Sequence, residues 1–317
     1  MGGADHRAVG PGHGQAMPRW PPSAAAGILL FMRVGLIANS TKPDAVSAAG
    51  QLTDVLKRSR DCSELHLMEP GAITDLAAFN PDLLVILGGD GTILQTARFI
   101  AGTAARVVGI NFGKLGYLAA FSLDEFLMHL NVILSDKAPV TSRMMLEGAI
   151  YETAESANGA DRQVFSCPAL NDVVLNAGQP FRMLDIRVQI NGQPTVHFRG
   201  DGLIVSTSSG STGYNLSAGG PLISPDLPAL VVTPICAHSL SFRPVVLPAD
   251  TIVRVDAQRV NPGSMVSFDG QVNRPLKENQ YVQVKRSASA LRLVENPAMS
   301  HWNMLAHKLG WAQNPRG

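Results

Sequence analysis

The spacing of apolar and polar residues divides the chain at about residue 138. In the first half, short apolar runs of strand length alternate with longer segments of helical character. The predicted strands cover 33–39, 64–68, 82–87 and 106–111, and the predicted helices cover 45–60, 93–100 and 123–134. Strands that alternate with helices predict an α/β domain with a parallel, doubly wound sheet, which we assign to residues 31–138. In such a sheet, ligands bind at the carboxyl ends of the strands.

Beyond this point the apolar pattern repeats every second residue. Over 184–190 apolar residues alternate with polar ones, and Asn191-Gly192 then supplies a hairpin turn. The same alternation recurs around 251–255, 281–284 and 291–294. It predicts a mostly β, sandwich-like domain over residues 139–296. The last segment, 297–317, is predicted to be helical and to pack back on the first domain.

The first 30 residues differ from both domains in composition. They are rich in Gly, Pro, Ala and His and have no periodicity, so we predict a disordered tail and a folded chain that starts near Met32. The run 24–32 has the apolar character of a signal-peptide core, but Arg33 interrupts it and no clear small-residue cleavage site follows. No apolar run has the length that spans a membrane.

Net charge bears on the kinds of partner this protein can bind, and its cysteines bear on the cellular compartment. The 26 Lys and Arg residues against 25 Asp and Glu residues give a net charge of +1, which offers no electrostatic basis for binding nucleic acid or an anionic membrane. Cys62, Cys167 and Cys236 lie far apart and have no metal-ligand spacing. Reduced thiols of this kind fit a cytoplasmic protein.

The stretch Gly88-Gly89-Asp90-Gly91-Thr92 joins a predicted strand to a predicted helix. Its glycines allow a sharp turn with bare N–H groups, and the N-terminus of the helix favours a phosphate. A carboxylate there repels a phosphate unless it binds a metal or accepts a proton from an attacking hydroxyl, and both roles belong to phosphoryl transfer. The plainer alternative is a strand-to-helix turn with Asp90 as the N-cap. The loop resembles the GGDGT loop of NAD kinases, of diacylglycerol and sphingosine kinases and, more distantly, of phosphofructokinases.

Two polar stretches in the second domain add further candidates. Residues 206–221 are dense in hydroxyls and glycine, are flanked by apolar strands and contain Tyr214, a composition that suits a polar, planar ligand such as a nucleotide. Asn171 and Asp172 place polar groups inside the apolar run 169–175, where buried polar groups need partners. A hairpin turn and a bound ligand both remain open explanations for that pair. Asp269-Gly270 is most simply a hairpin turn.

Taken together, these motifs resemble the NAD kinase family. They follow the family order from about residue 32 to residue 311, and the set is far more specific than the GGDGT loop alone. The lipid kinases lack the hydroxyl-rich loop and the Asn-Glu/Asp pair. The matching stretches are residues 88–92, 111–117, 171–172, 201–207, 210–214, 217–221, 233–240 and 267–271.

The resemblance implies transfer of the γ-phosphoryl group of ATP to the 2′-hydroxyl of the adenosine ribose of NAD, which gives NADP. Asp90 is then the base or orienting group beside that hydroxyl, and Arg199 and Asp201 meet the ribose-nicotinamide half of NAD, often across a subunit interface. The phosphate-side loop consists of Gly88, Gly89, Gly91 and Thr92. The NAD-binding residues are Tyr117, Asn171, Asp172, Arg199, Asp201, Ser209, Thr212, Gly213, Tyr214 and Ser217.

The resemblance also implies partners and a cofactor. We expect a divalent cation, Mg²⁺, with ATP or polyphosphate as donor, and a homodimer or homotetramer, but no residue is assigned as a metal ligand. The chain departs from the family at Asp172, where Glu is usual, at Tyr117, where Phe is usual, and at Gly213, where Ala is usual. The shorter carboxylate alters a contact geometry. His238 matches a family motif but is left out of the site as structural.

Two rival functions share parts of this pattern. A lipid kinase of the diacylglycerol or sphingosine type uses the same GGDGT loop. A non-catalytic NAD-binding sensor retains the nucleotide pocket. Simple NAD binding has no use for a carboxylate beside the 2′-hydroxyl, so the presence of Asp90 disfavours the sensor. Formation of NADP from NAD, ATP and Mg²⁺ distinguishes the three functions.

Overall fold

The structure, a computed structural model, describes residues 31–69, 76, 78–113, 116–154, 159–180, 182–239 and 241–311. The predicted tail of residues 1–30 lies outside this part of the chain. By their contacts, the described residues divide into two units: one ends at Glu295, and the other begins at Asn296.

The first half of the larger unit is the α/β part predicted from the sequence. Its elements are β1 (Met32–Ala38), α1 (Pro43–Arg58), β2 (Cys62–Met68), β3 (Leu83–Gly88), α2 (Asp90–Ile100), β4 (Arg106–Asn111) and α3 (Leu123–Ile133). The four strands pair in parallel in the order β2-β1-β3-β4. Every residue of β3 is buried, which explains its continuous apolar sequence.

Local sequence signals set the ends of these helices. Pro43 opens α1, where its missing N–H costs nothing. Ser122 and Glu125 form a capping box at the start of α3, in which each side chain accepts the other residue's backbone N–H. No side chain caps α2, which begins directly after Gly89. The N-terminus of α2 therefore keeps its N–H groups open at the carboxyl end of β3.

The second half of the larger unit is mostly antiparallel β structure. Its strands are β5 (Val140–Glu152), β6 (Arg162–Ala169), β7 (Asp172–Asn176), β8 (Leu184–Ile190), β9 (Gln193–Gly200), β10 (Gly202–Thr207), β11 (Ala229–Ile235), β12 (Val245–Pro248), β13 (Val253–Ala257), β14 (Met265–Phe268), β15 (Val272–Pro275) and β16 (Gln280–Val294). A 3₁₀ turn over Ser209–Thr212 and the short helix α4 (Tyr214–Ser217) follow β10. The prediction of a parallel α/β part joined to a mostly β part is confirmed.

Two sheets organise these strands. One contains ten strands and runs β2-β1-β3-β4-β16-β13-β8-β9, with β5 paired to β16 and to β6; the other contains six and runs β12-β11-β10-β7-β14-β15. Near its end β16 pairs in parallel with β4, through Arg292 with Arg106 and Leu293 with Val107. The predicted α/β and β-rich domains therefore share a sheet.

The main apolar core of the β-rich part contains side chains from both sheets. Phe268 on β14 is fully buried and meets the ring of Phe165 on β6 edge-on, with 5.5 Å between ring centroids. A side chain at Gly148 on β5 would place its Cβ 2.7 Å from Phe268 and 2.8 Å from Val173. The two sheets consequently approach closely beside the start of β7.

The smaller unit contributes one described helix, α5 (His301–Leu309). Ser300 caps it by accepting the backbone N–H of Asn303, and Gly310 ends it in the left-handed conformation, with φ at 70°. The predicted packing of this segment on the first domain stays a prediction, as does the domain boundary at residue 138. Within the described chain, no helix combines the length and apolarity needed to cross a membrane.

Candidate active site

The GGDGT stretch lies where the sequence predicted it, at the carboxyl end of β3. Gly88 is the last residue of β3, Gly89 is extended, and α2 begins at Asp90. A Cβ at Gly88 would stand 2.5 Å from Thr92 Oγ1, so the turn requires glycine there. The backbone N–H groups of Gly89, Asp90 and Gly91 have no acceptor within the described part of the chain. They are available to an anion at the positive end of the helix dipole.

Thr92 shapes this loop from below. Its side chain is buried, its N–H donates to the carbonyl of Gly89 at 3.0 Å, and its hydroxyl accepts from Asn39 Nδ2 at 3.3 Å. The backbone N–H of Thr92 is therefore not free to donate to a ligand. The outward-facing donors of the predicted phosphate loop are the backbone N–H groups of residues 89–91.

Asp90 turns its carboxylate away from the glycine N–H groups. Its Oδ1 accepts the backbone N–H groups of Leu118 at 3.0 Å and Ala119 at 2.9 Å, and its Oδ2 accepts that of Tyr117 at 2.7 Å. A Cβ at Gly116 would lie 1.9 Å from Oδ1, so glycine permits this close approach. A carboxylate offers about four acceptor positions, so roughly one stays open, on Oδ2. That position can accept a ligand hydroxyl.

Tyr117 is the predicted NAD-binding residue nearest to this carboxylate. Its side chain is half-buried, and burial together with the negative charge of Asp90 raises the pKa of its phenol. The phenol therefore stays protonated close to Asp90. The structure brings these two predicted residues together.

The Asn171-Asp172 pair lies at a crossing between the two sheets and does not form a hairpin turn. β6, which precedes it, belongs to the ten-stranded sheet, and β7, which begins at Asp172, belongs to the six-stranded sheet. The backbone N–H groups of Leu170, Asn171 and Asp172 all donate to the carboxylate of Asp269, at 3.0, 2.7 and 3.2 Å. That side chain fixes the crossing.

Asp172 is a buried residue whose carboxylate has no hydrogen-bond donor among the described residues. The residue is 5% exposed, and no hydrogen bond to its carboxylate occurs within the described residues. Burial, and then the negative charge of Asp269, raise its pKa to about 7. Burial also raises the pKa of Asp269, but three N–H donors and Arg98 act in the opposite direction there. Asp172 is therefore the carboxyl that takes up a proton first.

The hydroxyl-rich loop packs directly on this crossing. A Cβ at Gly210 would lie 2.1 Å from the carbonyl oxygen of Asn171. A Cβ at Gly213 would lie 3.6 Å from Asn171 Nδ2 and 3.9 Å from Asp172 Oδ2, so Gly213 borders both side chains. Of the other predicted residues, Ser209 and Thr212 are half-buried, Ser217 is exposed, and Tyr214 is 44% exposed. These residues form one wall beside the pair.

Asn215 holds the hydroxyl-rich loop in place from within. It is fully buried, its Nδ2 donates to the carbonyls of Ser211 at 3.1 Å and Pro221 at 3.0 Å, and its Oδ1 accepts the hydroxyl of Thr233 at 2.6 Å. Asn215 is not among the residues predicted from the sequence to belong to the site. An amide within a stretch already dense in polar side chains carries no local signal of its own.

Arg98 and Gln271 connect the Asp90 helix to the Asn171-Asp172 crossing. Arg98 on α2 lies 3.7 Å from Asp269 and donates to Gln271 Oε1 at 2.7 Å. Gln271 Nε2 in turn donates to the carbonyl of Gly91 at 2.8 Å. Asp269 and Gly270 do form the predicted turn between β14 and β15, but the side chains of Asp269, Gln271 and Arg98 also join the two halves of the site. This triad is a positioning feature that the sequence analysis missed.

Arg199 and Asp201 lie away from the other predicted residues. Asp172 is opposite Ser206 in the pairing of β7 with β10, and the five residue steps from Ser206 back to Asp201 span about 17 Å at roughly 3.4 Å each. Arg199 is exposed and faces Asp185 at 3.7 Å. His238, whose N–H donates to the carbonyl of Arg199 at 2.7 Å, is at this same end. Along β10, Asp201 is therefore well separated from the Asn171-Asp172 crossing.

Metal ligands are sparse around the site. No group of at least three His, Cys, Asp or Glu side chains with metal-binding geometry occurs among the described residues. Backbone N–H groups already occupy three of the roughly four acceptor positions of the Asp90 carboxylate. This donor set does not build an all-protein cage. It fits the mode in which Mg²⁺ is bound mainly by substrate phosphates and water, with one or two carboxylates.

Comparisons with known proteins identify the family. A family model described as the ATP-NAD kinase N-terminal domain matches residues 69–138, and one described as the ATP-NAD kinase C-terminal domain matches residues 170–296. A protein named NAD kinase from Syntrophotalea carbinolica is 34% identical over 295 residues, which cover 89% of this chain and 99% of the relative. The chain belongs to the NAD kinase family. The predicted family is thus confirmed, and a lipid kinase is not favoured.

Solved structures of NAD kinases and of a related NADH kinase share this fold. Yeast NADH kinase, complexed with NADH, matches with a TM-score of 0.77 and 25% identity over 90% of this chain and 89% of its own. An NAD kinase from Archaeoglobus fulgidus, complexed with ATP, matches with a TM-score of 0.68 and 25% identity over 84% of this chain and 94% of its own. Proteins of this fold thus bind the dinucleotide NADH in one case and ATP in the other.

Proposed function

We propose that this protein transfers the γ-phosphoryl group of ATP to the 2′-hydroxyl of the adenosine ribose of NAD, giving NADP and ADP. The observation that carries the proposal is the position of Asp90. It begins α2 beside open N–H groups, and its Oδ2 keeps one acceptor position. Family membership and the NADH and ATP bound by the two solved kinases support the same pair of substrates.

The donor phosphates bind at the start of α2 in this proposal. The N–H groups of Gly89 and Gly91 donate to phosphate oxygens, and the helix dipole favours the negative charge. Asp90 points toward residues 117–119, so its charge is directed away from the phosphate. This orientation removes the repulsion that a carboxylate in such a loop would otherwise cause.

The ribose hydroxyl of NAD occupies the open acceptor position of Asp90. The hydroxyl oxygen bonds to the γ-phosphorus as the bond from that phosphorus to the bridging oxygen of ADP breaks. The hydroxyl proton passes to Asp90 Oδ2. Catalysis of this kind rests chiefly on positioning and on stabilisation of charge.

The wall formed by the Asn171-Asp172 crossing and the hydroxyl-rich loop binds the nucleoside of NAD. Asn171 supplies amide donors and acceptors, and Asp172 supplies a carboxylate that accepts no hydrogen bond from the described residues. Tyr117 and Tyr214 provide aromatic faces for adenine. Gly213 lies next to both polar side chains, with its Cβ position 3.6 Å from Asn171 Nδ2 and 3.9 Å from Asp172 Oδ2.

In this proposal, Mg²⁺ binds together with the phosphoryl donor. It would be bound mainly by the phosphates and by water, because the ribose hydroxyl takes the open acceptor position of Asp90, and it would neutralise part of the phosphate charge. The protein's own residues position the nucleotide and the hydroxyl. We place the reaction in the cytoplasm, since none of Cys62, Cys167 and Cys236 forms a disulfide with another described residue.

Arg199 and Asp201 fit the proposal through a second copy of the chain. Asp201 lies about 17 Å from the Asn171-Asp172 crossing, five residue steps at roughly 3.4 Å each, which is too far to bind the same ribose. In a homodimer or homotetramer, both residues would contact the nicotinamide half of NAD bound by the neighbour. The site would then be completed only by assembly.

Incubation of the purified protein with NAD, ATP and Mg²⁺ tests the function. We expect NADP, detected by a dehydrogenase specific for NADP. Binding of NAD without formation of NADP would indicate a sensor and contradict the proposal. Phosphorylation of a diacylglycerol or a sphingoid base without phosphorylation of NAD would indicate a lipid kinase. Polyphosphate in place of ATP tests the range of donors.

A further inference from the structure

Lys42 lies next to the glycine loop, although no sequence motif identified this lysine as a site residue. It lies in the connection between β1 and α1, and its Nζ donates to the carbonyl of Phe112 at 2.8 Å. The same atom is 3.6 Å from the position that a Cβ would occupy at Gly89 and 3.9 Å from that at Gly113. The ammonium group is therefore beside the outward face of the GGDGT stretch.

The connection that carries Lys42 is fixed to this stretch by Asn39. The N–H of Asn39 donates to the carbonyl of Leu87 at 2.9 Å, and its Nδ2 donates to Thr92 Oγ1 at 3.3 Å. Its Oδ1 accepts from the N–H of Thr41 at 3.0 Å and from the hydroxyl of that residue at 2.7 Å. The N–H of Lys42 then donates to the carbonyl of Asn39 at 3.0 Å. The position of the ammonium is thus set by the loop that it faces.

A lysine at this position is unfavourable for the helix. Lys42 is the N-cap residue of α1, a helix of 16 residues, and its side chain makes no capping bond. N-caps favour Ser, Thr, Asp and Asn, and the helix dipole repels a cation at the N-terminus. The N-terminus of α2 adds a further positive end nearby. Because Lys42 destabilises the start of α1, its position is better explained by a role outside that helix.

No carboxylate of the described chain balances this charge. No Asp or Glu oxygen within the described ranges approaches Lys42 Nζ to 4.0 Å, the distance of an ion pair, and the one acceptor found for it is the carbonyl of Phe112. Asp90, the acidic residue of the loop, is turned toward residues 117–119. The ammonium, the open N–H groups of residues 89–91 and two helix N-termini therefore converge on one face without an anion from the protein.

We infer that Lys42 binds the phosphate chain of the phosphoryl donor. This inference rests on the proposed function and adds a donor-binding residue to it. An ammonium group keeps further N–H donors after its bond to Phe112, and it binds phosphate as a point charge. The phosphoanhydride oxygens of ATP and of polyphosphate share this chemistry. The role concerns the donor and not NAD, whose predicted wall lies on the β-rich part.

The test compares Lys42→Met with Lys42→Arg and with a control, Lys57→Met, in the last turn of the same helix. Lys57 is exposed and distant from the glycine loop along α1. In Lys42→Met we expect the KM for ATP to rise roughly 10- to 100-fold, the range for a hydrogen bond to a charged group. The KM for NAD should change less than about twofold, Lys42→Arg should retain part of the affinity, and Lys57→Met should match the parent.

Inhibition by inorganic tripolyphosphate separates the phosphate chain from the adenosine of ATP. Its inhibition constant should rise in Lys42→Met by the same factor as the KM for ATP. An unchanged KM for ATP and inhibition constant in a variant that still melts cooperatively would overturn the inference, as would an equal rise in the KM for NAD. If the parent protein forms no NADP, the proposed function fails. Calorimetric titration of tripolyphosphate into parent and variant then still decides the role of Lys42.

Discussion

Replacing Asp269 by Asn should break the triad that joins the two halves of the site. The side chain of Asp269 is 0% exposed, and its carboxylate accepts three backbone N–H groups and faces Arg98, whose side chain is 7% exposed. An amide of the same shape has one oxygen in place of two. Its NH₂ group would face N–H donors or the guanidinium, and Arg98 would lose its ionic partner.

The magnitude follows from this geometry. Removing one partner of a buried ion pair costs about 3–5 kcal/mol, because the other charge stays buried and unpaired. Arg98 keeps its bonds to Gln271 at 2.7 Å and to the carbonyl of Leu94 at 3.4 Å, which favours the lower end of that range. We therefore expect a loss of about 3 kcal/mol, a large share of the roughly 5–15 kcal/mol that stabilises a typical domain.

Urea unfolding of the parent, Asp269→Asn and the exposed control Asp250→Asn measures this loss. A double-mutant cycle with Arg98→Met adds a sharper criterion, because the double variant leaves neither charge of this pair buried without its partner. It should be less destabilised than the sum of the single variants. A loss below about 0.5 kcal/mol in Asp269→Asn, the level of an ordinary surface change, or additivity in the cycle, would refute the reasoning.

Two further predictions concern protonation and assembly. The pKa of Asp172 is raised from 3.8 to about 7, so the folded protein binds a proton that the unfolded chain releases, and stability should fall as the pH rises through this window. Asp172→Asn should remove that slope in urea unfolding without nucleotide, and an equal slope in both proteins would contradict the assignment. Mixing inactive Asp90→Asn and Asp201→Asn subunits should restore some NADP formation through hybrid sites. No recovery after demonstrated subunit exchange would count against a shared site.

Local patterns in the sequence predict the elements that carry the chemistry. The apolar run of β3, the glycines after it and the periodicity of the next helix place Asp90 at a strand-to-helix junction, where the structure has it. Alternation over residues 184–190 predicts β8. In each case the signal lies within about ten residues, the range over which periodicity and turn chemistry act.

Side-chain contacts between distant segments are beyond such patterns. Asp269 accepts N–H groups from residues 97–99 positions earlier in the chain, and Gln271 bonds to Gly91, 180 positions earlier. The turn sequence at Asp269-Gly270 fully accounts for the residue types, so nothing local reveals the second role. The same limit applies to Lys42. Its position matters only because the fold brings Gly89 after β3 and Phe112 after β4 next to the loop that follows β1.

The central claim is that Asp90 acts on the 2′-hydroxyl, and turnover of Asp90→Asn at saturating NAD, ATP and Mg²⁺ tests it most directly. The amide keeps an oxygen for the N–H groups of Leu118 and Ala119 but cannot take up the proton. A positioned general base contributes about 10²–10⁴-fold in rate, so we predict a fall in turnover of that order. The NAD dissociation constant should change little, whereas the melting temperature should fall, because the amide nitrogen then faces the N–H of Tyr117. Near-normal turnover in the folded variant would contradict the account.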